Sequence, residues 1–77
     1  MAGASFEDLK QQVAMKAEES GTLPTSVTVN GTQYTLQMPT ETKMSAMRVV
    51  RDPARLDDVL DQVTFVGLDG SEVHARS

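Results

Sequence analysis

One segment constrains the chain more than any other. Val27-Thr28-Val29-Asn30-Gly31-Thr32-Gln33-Tyr34-Thr35-Leu36 alternates apolar and polar side chains on both sides of Asn-Gly. A period of two belongs to a strand with one buried face. Asn-Gly supplies the positive φ angles of a two-residue hairpin turn. The register then checks itself. If Val29 opposes Thr32, Val27 opposes Tyr34, and Val27, Val29, Tyr34, Leu36 and Met38 share one face. Thr28, Gln33, Thr35 and Gln37 fall on the other.

The flanking segments read as helices. Phe6, Leu9, Val13 and Ala17 recur at helical spacing from about Ser5 to Ser20. Ser5 caps this helix, with Asp8 completing a capping box, and Gly21 ends it. Glu18 and Glu19 oppose the dipole at its C-terminus, so the last turn is expected to fray. After Pro39, Met44, Met47 and Val50 recur every three residues, which favours a short helix. Met47–Arg51 would also suit a strand. Asp52-Pro53 is a second helix start, with Asp as cap and Pro in the first position. Leu56, Val59, Leu60 and Val63 make its apolar stripe, over a helix of about ten residues.

A second hairpin closes the chain. Val66-Gly67-Leu68-Asp69-Gly70-Ser71-Glu72 echoes Val27-Thr28-Val29-Asn30-Gly31-Thr32-Gln33 position by position. The chain therefore divides into two αββ halves, or two hairpins share turn chemistry without common descent. A two-residue turn would group Val66, Leu68 and Val73. A three-residue loop ending at Gly70 pairs Phe65 with Val73 and is preferred, because it hides Phe65.

These elements define a single small α+β domain over residues 1–77, in the order α-β-β-α-α-β-β. Antiparallel hairpins carry helices on one face, and residues 1–4 and 76–77 are expected to be disordered. The opening helix–hairpin–helix order, over about 50 residues, is similar to that of small head-completion proteins of tailed phages. That resemblance is one of topology, rests on no shared motif and implies no functional residue.

Composition narrows the function. The chain has 77 residues and no Cys, which excludes a disulfide scaffold, a thiol nucleophile and a cysteine-based metal site. Burial in a domain this short barely offsets chain entropy, so the fold is either very regular or completed by a partner. No apolar run reaches the roughly 20 residues of a membrane span. The start lacks the basic and apolar regions of a signal peptide, and Ala2 separates Met1 from the glycine that myristoylation would need. The expectation is a soluble, cytoplasmic protein without membrane contact.

The net charge of −4 is unevenly spread. Lys43, Arg48, Arg51 and Arg55 make residues 39–55 basic, whereas Asp57, Asp58, Asp61, Asp69 and Glu72 make the last third acidic. An acidic chain lacks the general basic footprint of a nucleic-acid binder, which leaves only the segment Lys43–Arg55 for that role. Two charged sets are candidate partner-binding residues: Asp57, Asp58 and Asp61, and Arg48 and Arg51.

Catalytic candidates are few. His74 is the only histidine, and no serine near it carries the strained-turn motif of a nucleophile. Asp57-Asp58-x-x-Asp61 resembles the aspartate-rich magnesium motif of prenyl-transferring enzymes, but those enzymes enclose a deep apolar pocket that 77 residues cannot form. Asn30-Gly31-Thr32 spells a glycosylation sequon and is read as turn chemistry. Asp69-Gly70 lacks the remaining acids of a calcium loop, and no glycine-rich phosphate loop is present. No catalytic residue, metal or cofactor is expected. Met38, Met44 and Met47 suit either a core or a binding surface.

The reading is a non-enzymatic protein-interaction module. Its acidic third would occupy a basic, nucleic-acid-binding surface of a larger protein, as phage-type inhibitors such as anti-CRISPR proteins do. The alternative is a structural subunit of a symmetric assembly such as a phage virion, with self-association as its consequence. The Thr/Gln face and any unpaired edge strand are further docking places.

Overall fold

The first hairpin has the expected register. In a computed structural model that describes residues 4–75, β1 (Ser26–Val29) pairs antiparallel with β2 (Thr32–Gln37), Val29 opposite Thr32 and Val27 opposite Tyr34. Asn30 and Gly31 take φ of 54° and 82°, the two positive angles of a type I′ turn. Val27 and Tyr34 are buried, while Thr28, Gln33, Thr35 and Gln37 are exposed.

The second hairpin joins β3 (Thr64–Gly67) to β4 (Glu72–Val73), and Phe65 opposes Val73. Its loop holds the three residues Leu68, Asp69 and Gly70, closed by Gly67 N–H donating to the Ser71 carbonyl at 2.8 Å. Asx-Gly therefore makes different turns at the two places. Asn30 accepts a left-handed backbone, whereas Asp69 instead uses Oδ1 to accept from Ser71 N–H (3.0 Å) and Ser71 Oγ–H (2.7 Å). Gly67 makes room for this fold-back. A Cβ there would lie 2.6 Å from Asp69 Oδ1 and 2.7 Å from Ser71 Oγ.

β2 and β3 join the hairpins, with Leu36 opposite Phe65 and Tyr34 opposite Gly67, in a four-stranded antiparallel sheet of order β1-β2-β3-β4. The helices cover one face of it. α1 (Phe6–Ser20) is capped by Ser5, whose Oγ accepts from Asp8 N–H at 3.1 Å, and it ends at Gly21 (φ 74°), whose N–H donates to the Ala17 carbonyl at 2.8 Å. The helix extends to Ser20, where Ser20 Oγ–H donates to the Lys16 carbonyl at 2.8 Å.

α2 (Thr40–Arg48) is a helix, not a strand. Its buried residue is Ala46; Met44 and Met47 are 51% and 57% exposed. The methionine spacing thus marks the right element, and of the two roles open to Met44 and Met47 the structure places both on the exposed side. A small side chain faces inward beside α3 (Pro53–Leu60), and the long thioethers stay outside. α3 begins at Asp52, whose Oδ1 accepts from Arg55 N–H at 3.4 Å, and has eight residues rather than ten.

Leu9, Val13, Val27, Leu56, Leu60, Val63 and Phe65 form the fully buried centre. Phe6 meets Phe65 edge-on, with ring centroids 5.7 Å apart. Ala4, expected in a disordered start, is buried and joins this cluster; the expectation of disorder at residues 1–3 and 76–77 lies outside the described residues. Among the described residues no helix is long and apolar enough to cross a membrane.

Two predictions follow from this packing. Gly31→Val has open space but a φ of 82°, so it should cost about 1–3 kcal/mol through backbone strain alone. Leu9→Ala and Leu60→Ala should each cost about 2–5 kcal/mol. Denaturant midpoints check both, and leucine variants that melt like the parent would contradict a shared core.

Candidate functional site

The apolar stripe of α1 contains a lysine. Lys10 lies four residues after Phe6 and three before Val13, which places it on the buried side of the helix. It is 4% exposed. A charge so withdrawn from water requires close partners. Three carboxylates provide them: Lys10 Nζ lies 2.7 Å from Asp61 Oδ1, 3.1 Å from Asp57 Oδ1 and 3.6 Å from Glu7 Oε2. The ammonium also sits 5.2 Å from the centre of the Phe6 ring.

Local structure explains how these groups meet. Asp57 lies on α3 and Asp61 caps its C-terminus one turn later, so both fall on the same side while Leu56 and Leu60 point into the core. Burial alone would lower the Lys10 pKa. The hydrogen bonds and charges of Asp61 and Asp57 outweigh that and hold it above its ordinary 10.5.

This arrangement revises the role of two candidate residues. Asp57 and Asp61 do not simply project from α3; they fasten it to α1. Their carboxylates are nevertheless 55% and 47% exposed, so each also faces solvent. Asp58, beside them, is exposed. Three acids around one buried ammonium leave an excess of negative charge on the outer side. The cation shared by the spacing of Asp57 and Asp61 is therefore the protein's own lysine. Among the described residues no group of three or more His, Asp or Glu side chains is arranged to hold a metal ion.

The basic candidates Arg48 and Arg51 lie in different surroundings. Arg48 ends α2, where its charge suits the helix dipole. Arg51 lies against Gly21, since a Cβ at that glycine would fall 2.5 Å from Arg51 Nη2. It thereby brings positive charge to the C-terminus of α1, where Glu18 and Glu19 are unfavourable. Arg55 Nε is 3.5 Å from Asp52 Oδ2. His74 and Glu72 are exposed.

A second feature is apolar. A groove of about 310 Å³ is lined by Leu23, Pro24, Leu36, Met38, Lys43 and Met47, between α2 and the end of the sheet. A wider depression adjoins it at Leu36, Met38 and Lys43. Sequence reasoning missed both Lys10 and this groove. Lys10 was detectable as the one cation within the α1 stripe. The groove was not, because it depends on how α2 packs.

No known protein family, curated protein or solved structure matches this chain.

The ion cluster makes a paired prediction. Lys10→Met keeps an apolar stem of similar length and leaves carboxylates that solvent can reach, so stability should stay within about 1 kcal/mol of the parent. Lys10→Ala also loses the packing of that stem and should cost about 1–2 kcal/mol. Because the folded-state pKa of Lys10 is raised, its contribution is present below pH 10.5 and disappears as pH rises through the raised value. The parent should therefore lose stability relative to Lys10→Met above pH 10.5, as read by denaturation across the pH range.

Proposed function

We propose that this protein is a small interaction module that works by binding rather than catalysis, through the acidic face of α1 and α3. The observation that carries the reading is the Lys10 cluster. Its buried ammonium draws Asp57 and Asp61 together from beneath, and both carboxylates remain about half exposed. Acids held in place from below lose less freedom on binding than free surface acids would.

The partner of this face is a larger protein with a basic surface, of the kind that handles nucleic acid. Charge at the rim of such a contact acts mainly on encounter rate and on the choice of partner. Covering a nucleic-acid-binding surface would make the module an inhibitor, in the manner of phage-type proteins. A second reading, a subunit of a larger assembly, is favoured by the exposed Met44 and Met47 on α2.

Asp58→Asn combined with Glu7→Gln removes exposed charge while sparing the two closest partners of Lys10. Captures from a host lysate should show a partner that the parent retains at low salt and releases as salt rises. The double variant should capture several-fold less of it, with an unchanged melting temperature. Arg48→Glu with Arg51→Glu should capture it normally. Loss of binding in the arginine variant alone, at an unchanged melting temperature, would place the contact on the basic segment instead.

A further inference from the structure

The groove beside α2 has a matching element elsewhere on the same chain. Its floor is apolar, from Leu23, Pro24, Leu36, Met38 and Met47, and Lys43 is its only charged lining residue. Among the described residues Lys43 makes no ion pair, and the adjoining depression also contains no acid. On a chain with net charge −4, this concavity is apolar and locally positive. Its complement would be an exposed apolar side chain with a carboxylate next to it.

Leu68 and Asp69 have that chemistry. Leu68 is 77% exposed, more than any other large hydrophobic residue of the described chain. It stands at the tip of the second hairpin, in a loop braced by the Gly67–Ser71 and Gly67–Gly70 hydrogen bonds. Asp69 follows it. Both Ser71 hydrogen bonds fall on Asp69 Oδ1, which leaves Oδ2 available. Those bonds from the Ser71 hydroxyl and N–H hold the Asp69 carboxyl below its ordinary range, so it is charged at neutral pH. The exposed Glu72 adds a second negative group nearby.

Knob and groove lie at opposite ends of β2. Leu68 N–H donates to the Gln33 carbonyl near the start of that strand, whereas Leu36 and Met38 line the groove at its end. A single molecule thus presents the knob at one end of its sheet and the groove at the other.

We propose that the groove receives the Leu68–Asp69 tip of a second copy of this chain, with Lys43 facing the incoming carboxylate. Contacts between different patches are heterologous and propagate head to tail, into a ring if the rotation closes and a filament if it does not. This interface is distinct from the acidic face of Glu7, Asp57 and Asp61, and it does not depend on the function proposed for that face.

Sedimentation velocity over a micromolar-to-millimolar series tests the proposal on the intact chain. The parent should grow in mass with concentration. Leu68→Ser removes the knob, and Lys43→Glu reverses the charge of the groove. Both sites are exposed, so melting temperatures should stay unchanged, and each variant should associate at least about tenfold more weakly. The decisive sample is an equimolar mixture of the two variants. One keeps the groove and the other keeps the knob, so the mixture should form a one-to-one dimer that grows no further. A parent that stays monomeric throughout, a Leu68→Ser variant that associates like the parent, or a mixture without heterodimer would each overturn the proposal.

Discussion

Hiding Phe65 governs much of the architecture. Its side chain is fully buried, in a chain with only two phenylalanines and no tryptophan. To keep it inside, the second hairpin pairs Phe65 with Val73, which requires three loop residues rather than two. That loop folds Asp69 and Ser71 over Gly67, where a side chain would collide with both. The same strand pairs with β2, so Leu36 lies beside Phe65 and the two hairpins become one sheet. Phe6, at the start of α1, then packs edge-on against the ring. Helix, sheet and loop geometry thus share a common constraint.

The acidic face is a consequence of how α1 meets the rest of this core. Its stripe is apolar except at Lys10, and the position of that lysine compels α3 to answer with carboxylates. Replacing a buried ion pair with apolar groups often costs little stability. Here the pair does something an apolar contact would not, because it arranges Asp57 and Asp61 on a surface that stays open to water. Packing inside and charge outside are set by the same side chains. Arg51 shows a similar economy at the other end of α1, where a residue from beyond α2 supplies the positive charge that the last turn lacks.

Much of the fold was legible because local signals agreed. Asn-Gly with alternating flanks placed the first hairpin and its register, and Ser5, Gly21 and Asp52-Pro53 placed helix boundaries. The sequence order α-β-β-α-α-β-β is the observed one. What local signals could not supply was orientation within the tertiary structure. The three-residue spacing of Met44 and Met47 is compatible with either face of α2, and packing beside α3 chose Ala46. The repeated Asx-Gly spells two turn types alike, and the need to bury Phe65 correctly favoured the three-residue loop at the second, where Gly67 leaves room for Asp69 and Ser71. Of the candidate site, the acids on α3 could be read from spacing. Their partner Lys10 is 51 residues distant from Asp61 in the chain, a contact that no local pattern encodes.

The account of the acidic face depends on Lys10 holding Asp57 and Asp61 from beneath, and a double-mutant cycle measures that coupling directly. Lys10→Met, Asp61→Asn and the double variant would be compared with the parent by denaturation at low salt and neutral pH. Asp61 is about half exposed, so solvent screening limits the expected coupling to about 0.5–1 kcal/mol, diminishing with added salt. A coupling in that range would show that the two charges act together in solution. Additive effects of the two substitutions, at every salt concentration, would contradict the account.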